Sequence, residues 1–182
     1  MSQTIGKISS CRDIVKVSRE GVTLSPEEFT SRFGEMRVPI AKFLYRRVEV
    51  DDVEDLSAQV FDIAWRKGGT VTVGEELPWL YRVATNLVAN HRRKNARAQS
   101  FLARIVAPDT SPSAESIAVA DIALADAWRL LPATSRQILA LTAFDGLSVT
   151  EAARALDITA NAVSVRLNRA RTQLRAALTD TA

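Results

Sequence analysis

The chain is poor in the residues that build cross-linked or metal-held folds. Its single cysteine, Cys11, excludes an internal disulfide framework. Its single histidine, His91, leaves too few soft ligands for a structural zinc site. No run reaches the roughly 18 consecutive apolar residues a membrane span needs. The N-terminus has no apolar signal-peptide core. A reducing, cytoplasmic location with no membrane contact of its own is the expectation. Also missing are GxxxxGK[ST], GxGxxG and HExxH, so no phosphate cradle, dinucleotide fingerprint or zinc-protease helix is present. Cys11 and His91 lie far apart with no supporting motif, and no enzymatic activity or cofactor is expected. An excess of either sign is lacking: the net charge of +3 is too small for a simple polycation.

The charge that exists is unevenly placed. Arg82, Arg92, Arg93, Lys94, Arg97 and Arg104 occupy a stretch with no acid, and Asp109, Glu115, Asp121 and Asp126 a stretch with no base. Such asymmetry points to separate surfaces with separate partners. The sharpest pattern comes near the C-terminus. Ser148 and Glu151 form an S-x-x-E capping box, Asp157-Ile158-Thr159 breaks the helix it starts, and Thr159 caps a second. A short helix, a three-residue turn and a longer basic helix follow the helix-turn-helix pattern of a major-groove reader. In the second helix Val163, Leu167, Ala170, Leu174 and Leu178 form one apolar stripe. Asn161, Val165, Asn168, Arg169 and Thr172 lie opposite it, with Ser164, Arg166, Arg171 and Arg175 on the flanks. Four arginines and no acid from Ala160 to Leu178 suit a phosphate partner.

Upstream, all signals are helical. Residues 1–22 read as a weakly patterned tail. Ser25, Pro26 and Glu28 open a helix that Pro39 should break near its middle. A second helix runs from about Asp51 to Lys67, with Val53, Leu56, Val60, Ile63 and Ala64 inward, and Gly68-Gly69 ending it. The segment 70–76 reads as a loop. Pro78 opens a long helix to about Ala98 with Leu80, Val83, Ala84, Leu87, Val88 and His91 inward. Linker composition follows over 101–116. Further helices are expected over 117–131 and 136–144, the latter closed by Asp145-Gly146.

Two of these helices carry candidate surfaces. Asp52, Asp55 and Gln59 form a polar ridge at i, i+3 and i+7, suited to a basic partner. Trp79 and Tyr81 precede Arg82, Asn86, Asn90, Arg92, Arg93 and Lys94. That mixture of aromatics, cations and amides suits single-stranded nucleic acid, although Trp79 reads better as core.

In this order and spacing, three strings resemble a bacterial RNA polymerase sigma factor of the sigma-70 superfamily, extracytoplasmic-function type. DVEDLSAQVFDIAWR (Asp52 to Arg66) is similar to the core-binding part of that family's region 2. PWLYRVATNLVANHRR (Pro78 to Arg93) is similar to its promoter-melting segment. Leu130 to Leu156 with Ala162 to Arg175 is similar to region 4.

The resemblance implies an all-α fold of two small domains, the region 2 bundle at 23–99 and the region 4 helix-turn-helix at 118–182. A flexible linker, 100–117, would join them. It implies that Asp52, Asp55, Leu56 and Gln59 dock on core RNA polymerase. The loop 68–76 with Asn86 would hold a flipped minus-ten base. Arg82, Asn90, Arg92 and Arg93 would hold DNA nearby. Thr159, Asn161, Ser164, Val165, Asn168 and Arg169 would face the minus-35 groove, and Arg136, Arg166, Arg171 and Arg175 would take phosphates. An anti-sigma protein is the further partner implied. Ser164 and Asn168 depart from the family's usual residues, so promoter preference does not carry over, and His91 stands where aromatic residues are frequent, so the family's melting role does not carry over to it. The alternative function is a stand-alone helix-turn-helix regulator.

Overall fold

The computed structural model describes residues 24–99, 111–113 and 122–180, and within them every regular element is helical. The 1–22 tail with Cys11, and most of the 100–117 linker, lie outside the described residues. In chain order the helices are α1 (Pro26–Phe33), α2 (Arg37–Tyr45), α3 (Val50–Lys67), α4 (Glu76–Gln99), α5 (Ile122–Leu130), α6 (Ala133–Leu139), α7 (Val149–Leu156) and α8 (Ala160–Asp180).

Both capping boxes form. The Ser25 hydroxyl accepts from the Glu28 amide at 3.2 Å while the Glu28 carboxylate accepts from the Ser25 amide at 2.8 Å. Ser148 and Glu151 repeat the exchange at the same distances. The hydrogen bonds from Ser148 hold the Glu151 carboxyl below its ordinary range. Ser148→Ala should therefore cost about 1 kcal/mol, read as a fall in the midpoint of chemical denaturation. The depressed carboxyl stabilises the fold above its unfolded pKa, and that gain is lost as pH falls through the folded value. The gap between the two proteins should narrow on acidification.

Three boundaries differ from expectation. The first helix breaks at a 3₁₀ turn, Gly34–Met36, before Pro39. Pro39 instead takes the third position of α2, where a missing N–H costs no helical bond. The long helix begins at Glu76, not Pro78, because the Glu76 carboxylate accepts from the Gly74 amide at 2.7 Å and from Arg32 Nε at 2.8 Å. α6 begins at Ala133, directly after Pro132. It then continues as one π-helical turn, Ala140–Phe144, before Gly146 takes the left-handed conformation at φ +72°.

The N-terminal half packs α1 to α4 around Phe33, Ile40, Phe43, Leu44, Val60, Leu80, Ala84 and Val88. Tyr81, read above with the stacking aromatics, is also core: it is 1% exposed, with its ring 5.1 Å from that of Phe43. Burial pushes its phenol up to about 12. The C-terminal half packs α5 to α8 around Trp128, Ile138, Leu141, Ala152, Val163 and Ala170. The two halves meet. α7 lies along α4, and the buried apolar residues of both halves belong to one continuous cluster. Part of the linker is fixed there: Trp128 Nε1 donates to the Pro112 carbonyl at 3.1 Å, and the Ser113 amide to the Arg46 carbonyl at 3.3 Å. No helix of the described residues is long and apolar enough to cross a membrane.

Candidate nucleic-acid interface

Helix α8 is built as its periodicity dictates. Val163, Leu167 and Ala170 are buried, and this stripe holds α8 against α6 and α7. Asn161, Val165, Arg166, Asn168 and Arg169 are exposed on the other side, with Arg171 and Arg175 further along. Val165 is 61% exposed, an apolar side chain offered to solvent between amides and cations. Such a group fits the methyl of a thymine edge. Ser164 is half-buried and donates to the Ala160 carbonyl at 3.1 Å, so its hydroxyl proton is already engaged.

The turn before α8 is set by two residues. Asp157 closes α7 in the left-handed conformation at φ 58°, which a short polar side chain tolerates. Thr159 then caps α8, its hydroxyl accepting from the Ala162 amide at 3.2 Å. Thr159 thus shapes the start of α8.

On α4, Asn86, Asn90 and Arg93 are exposed, and Arg93 donates to Asn90 Oδ1 at 3.1 Å. Two other predicted DNA contacts are engaged within the protein. Arg82 pairs with Asp157 at 2.5 Å. Arg92 donates through Nε to the Arg47 carbonyl at 3.2 Å and through Nη2 to the Ser111 carbonyl at 3.2 Å. Arg136 is likewise held, donating to Ser111 Oγ at 3.0 Å and the Leu131 carbonyl at 2.8 Å. These three arginines stitch the halves and the linker together.

On α3 the polar ridge is exposed at Asp55 and Gln59 and half-exposed at Asp52. Leu56 is 4% exposed, in the inner stripe of α3 beneath the ridge. His91, expected in the inner row of α4, lies near the surface with Nε2 3.0 Å from the Asp52 carboxylate, joining α4 to that ridge.

One further cluster left no trace in the sequence pattern. Asp145 has a wholly buried carboxylate that receives Arg47 Nη2 at 3.0 Å and also binds Arg46. Arg47 is itself buried and stacks 3.6 Å above the Phe43 ring. Burial lowers its guanidinium to about 10, against the opposing pull of Asp145. At the rim, Arg154 pairs with Glu75 at 3.0 Å. A crevice of about 390 Å³ lies between α4 and α7, bordered by Trp79, Arg82, Ala153 and Ile158.

Comparison with known proteins gives a consistent set. The model of the family "Sigma-70, region 4" matches residues 122–174. Over 140 residues, 72% of this chain and 75% of the relative, the chain is 35% identical to the RNA polymerase sigma factor NccH of Alcaligenes xylosoxydans xylosoxydans. The fold is similar to that of CnrH, solved in complex with the cytosolic domain of CnrY. That match has a TM-score of 0.55 and 25% identity, over 87% of this chain and 92% of the other. It is also similar in fold to the sigma factor RpoE of Bartonella quintana, solved with the anti-sigma factor NepR. There the TM-score is 0.56 and the identity 21%, over 84% and 95% of the two chains.

Proposed function

The chain belongs to the RNA polymerase sigma factors of the sigma-70 superfamily, extracytoplasmic-function type, and we propose that it directs core polymerase to promoters by reading a minus-ten and a minus-35 element. The observation that carries this reading is the solvent face of α8, where Asn161, Val165, Asn168 and Arg169 stand between flanking arginines on a capped helix-turn-helix. In this reading the arginines supply affinity without sequence and the amides and Val165 supply sequence. Asn86, Asn90 and Arg93 on α4 would hold the opened minus-ten strand, joined by Arg82 and Arg92 once these are released. The turn 68–76 would frame an extruded base. The domain division assumed is 23–99 and 118–182.

Asp52, Asp55 and Gln59 would form the polymerase dock. Asp55→Ala with Gln59→Ala should abolish co-purification with core polymerase without lowering the melting temperature, since both side chains are exposed and off the core. Retained association in the double variant would remove the dock from α3. The relatives CnrH and RpoE are each described with a bound protein partner, the latter with an anti-sigma factor. An anti-sigma protein is accordingly a proposed partner here.

The deciding experiment is run-off transcription with core polymerase on genomic promoter fragments. Specific transcripts that need the added chain are expected. A folded chain that stimulates none of the fragments would overturn the reading. A stand-alone regulator would instead protect a palindrome without polymerase.

A further inference from the structure

The exposed face of α8 keeps its charge off its centre line. At about 100° per residue, Asn161, Val165, Asn168 and Thr172 fall on one line along the helix, opposite the buried Val163, Leu167 and Ala170. None of the four is charged. The cations stand to either side of the line, Arg166 and Arg169 on one flank and Arg171 and Arg175 on the other. A helix seated in a major groove meets base edges along its centre line and a phosphate strand on each flank. In that seating the uncharged line would face bases, and the two arginine pairs would face the two backbones.

The chemistry of the line is narrow. Guanine is read chiefly by a cation that binds O6 and N7 together, and no cation lies on the line. Adenine is read by an amide that uses its donor and its acceptor at once. Among the described residues the Asn161 and Asn168 side chains make no hydrogen bond, so both keep that pair of groups. The amides of α4 differ: Asn90 Oδ1 accepts from Arg93, and Asn95 Nδ2 is bonded to His91. Val165 presents only methyl groups, which suit the methyl of thymine. Two hydroxyls of the same face are already committed. Ser164 donates to the Ala160 carbonyl and Thr172 to the Asn168 carbonyl, each at 3.1 Å. Each can then only accept from a base, which excludes an oxygen edge such as guanine O6.

Spacing then sets the pattern. From Asn161 to Asn168 the helix rises about 10.5 Å, at 1.5 Å per residue. Base pairs stack at about 3.4 Å, so the two amides stand roughly three steps apart with Val165 between them. We infer that α8 reads a core of about four A·T pairs with no guanine anchor, Asn161 and Asn168 taking the outer adenines and Val165 the methyl of a thymine between them. This base preference presupposes the duplex-reading role of α8 proposed above.

The test is selection by the full chain, with and without core polymerase, from duplexes randomised over a short window. An A·T core is expected among the enriched duplexes. Base analogues placed in the best of them then assign the contacts by fluorescence anisotropy. Exchanging each thymine in turn for deoxyuridine removes only a methyl group, and at one position should weaken wild type about three- to fivefold. Val165→Ala should bind both versions alike. Exchanging each adenine for 7-deazaadenine removes the N7 acceptor, and at two positions should weaken wild type about three- to tenfold. Asn161→Ala should cancel the loss at one of them and Asn168→Ala at the other. All three side chains are exposed, so these variants should fold as wild type does. A guanine-anchored core overturns the proposal, and loss of that preference in Arg169→Ala would name the cation responsible. A thymine effect that survives in Val165→Ala overturns it too, as does an adenine effect that survives in both asparagine variants. Enrichment of no sequence under either condition has the same force. The run-off assay tells the two readings apart. Transcripts from promoters with guanine-anchored elements would keep the sigma-factor function and remove this preference. An A·T core selected by a chain that starts no transcript would do the reverse.

Discussion

Replacing Arg166, Arg169, Arg171 and Arg175 together with alanine is expected to abolish promoter-directed initiation while leaving the fold intact. Their side chains lie on the exposed side of α8, away from the Val163, Leu167 and Ala170 stripe that holds the helix down. Among the described residues none of the four enters an ion pair, so their removal leaves no buried partner stranded. Alanine is also the better helix former, which keeps the stability change small. The effect on DNA is of another size. Each phosphate contact contributes about 0.9 to the dependence of log affinity on log salt. Four lost contacts should flatten that slope by about 3 to 4. Initiation should vanish at physiological salt and return partly in dilute buffer. Asn168→Ala should behave differently, relaxing preference at one base position by about 1–3 kcal/mol with the slope unchanged. The two signatures separate positioning from reading. An unaltered salt slope in the fourfold variant would remove α8 from the backbone contacts.

The parts of this molecule that were legible in its sequence are those set by local chemistry. Ser25 with Glu28, and Ser148 with Glu151, are close enough in the chain for a capping box to be read directly, and both form. The apolar stripe of α8 follows from a period that tertiary contacts had no reason to override. Pattern alone was less secure where one residue type serves two ends. Tyr81 beside Trp79 looks the same whether an aromatic pair stacks bases or fills a core. Only the position of Phe43, from another helix, decides for the core. Leu56 belongs to both a binding string and an apolar stripe, and the structure buries it in the stripe. Asp145 was illegible for a stronger reason. Next to Gly146 it reads as helix-ending chemistry, and it does sit at a helix end. Its partners Arg46 and Arg47 are almost a hundred residues away, and ion pairing across that separation leaves no periodic trace. The arginines carry the same lesson in reverse. Arg82, Arg92 and Arg136 have the composition of DNA contacts, and in this structure protein groups occupy them.

Gly68→Val is expected to be the most damaging single substitution in the N-terminal half. The sequence suggests a helix terminator, for which backbone freedom would be the reason for glycine. The reason found is space. Gly68 has φ −62°, a conformation any residue adopts, so no strain argument applies. A Cβ there would lie 2.8 Å from both Cε2 and Cζ of Phe33 and 3.3 Å from Leu24 Cδ1. The Phe33 ring is fully buried, stacked 5.2 Å from Phe29 and edge-on 6.4 Å from Trp79, so it cannot swing aside without moving two further aromatics. Alanine alone should cost about 1–3 kcal/mol, and valine more. Total stability of ordinary domains is only about 5–15 kcal/mol, so the valine variant should lose a large part of its cooperative unfolding transition near room temperature. Gly34→Ala is the matched control. Its Cβ would meet Thr30 Cγ2 at an ordinary 3.6 Å, in a helical conformation. That change should stabilise by about 0.4–1 kcal/mol through the unfolded chain. Calorimetry of the two alanine variants makes the comparison independent of glycine's general cost. If Gly68→Ala melts as high as Gly34→Ala, the contact with Phe33 does not explain the glycine. If it melts lower, the close approach of α1 to the end of α3 fixes where the 68–76 turn begins, and with it the start of α4.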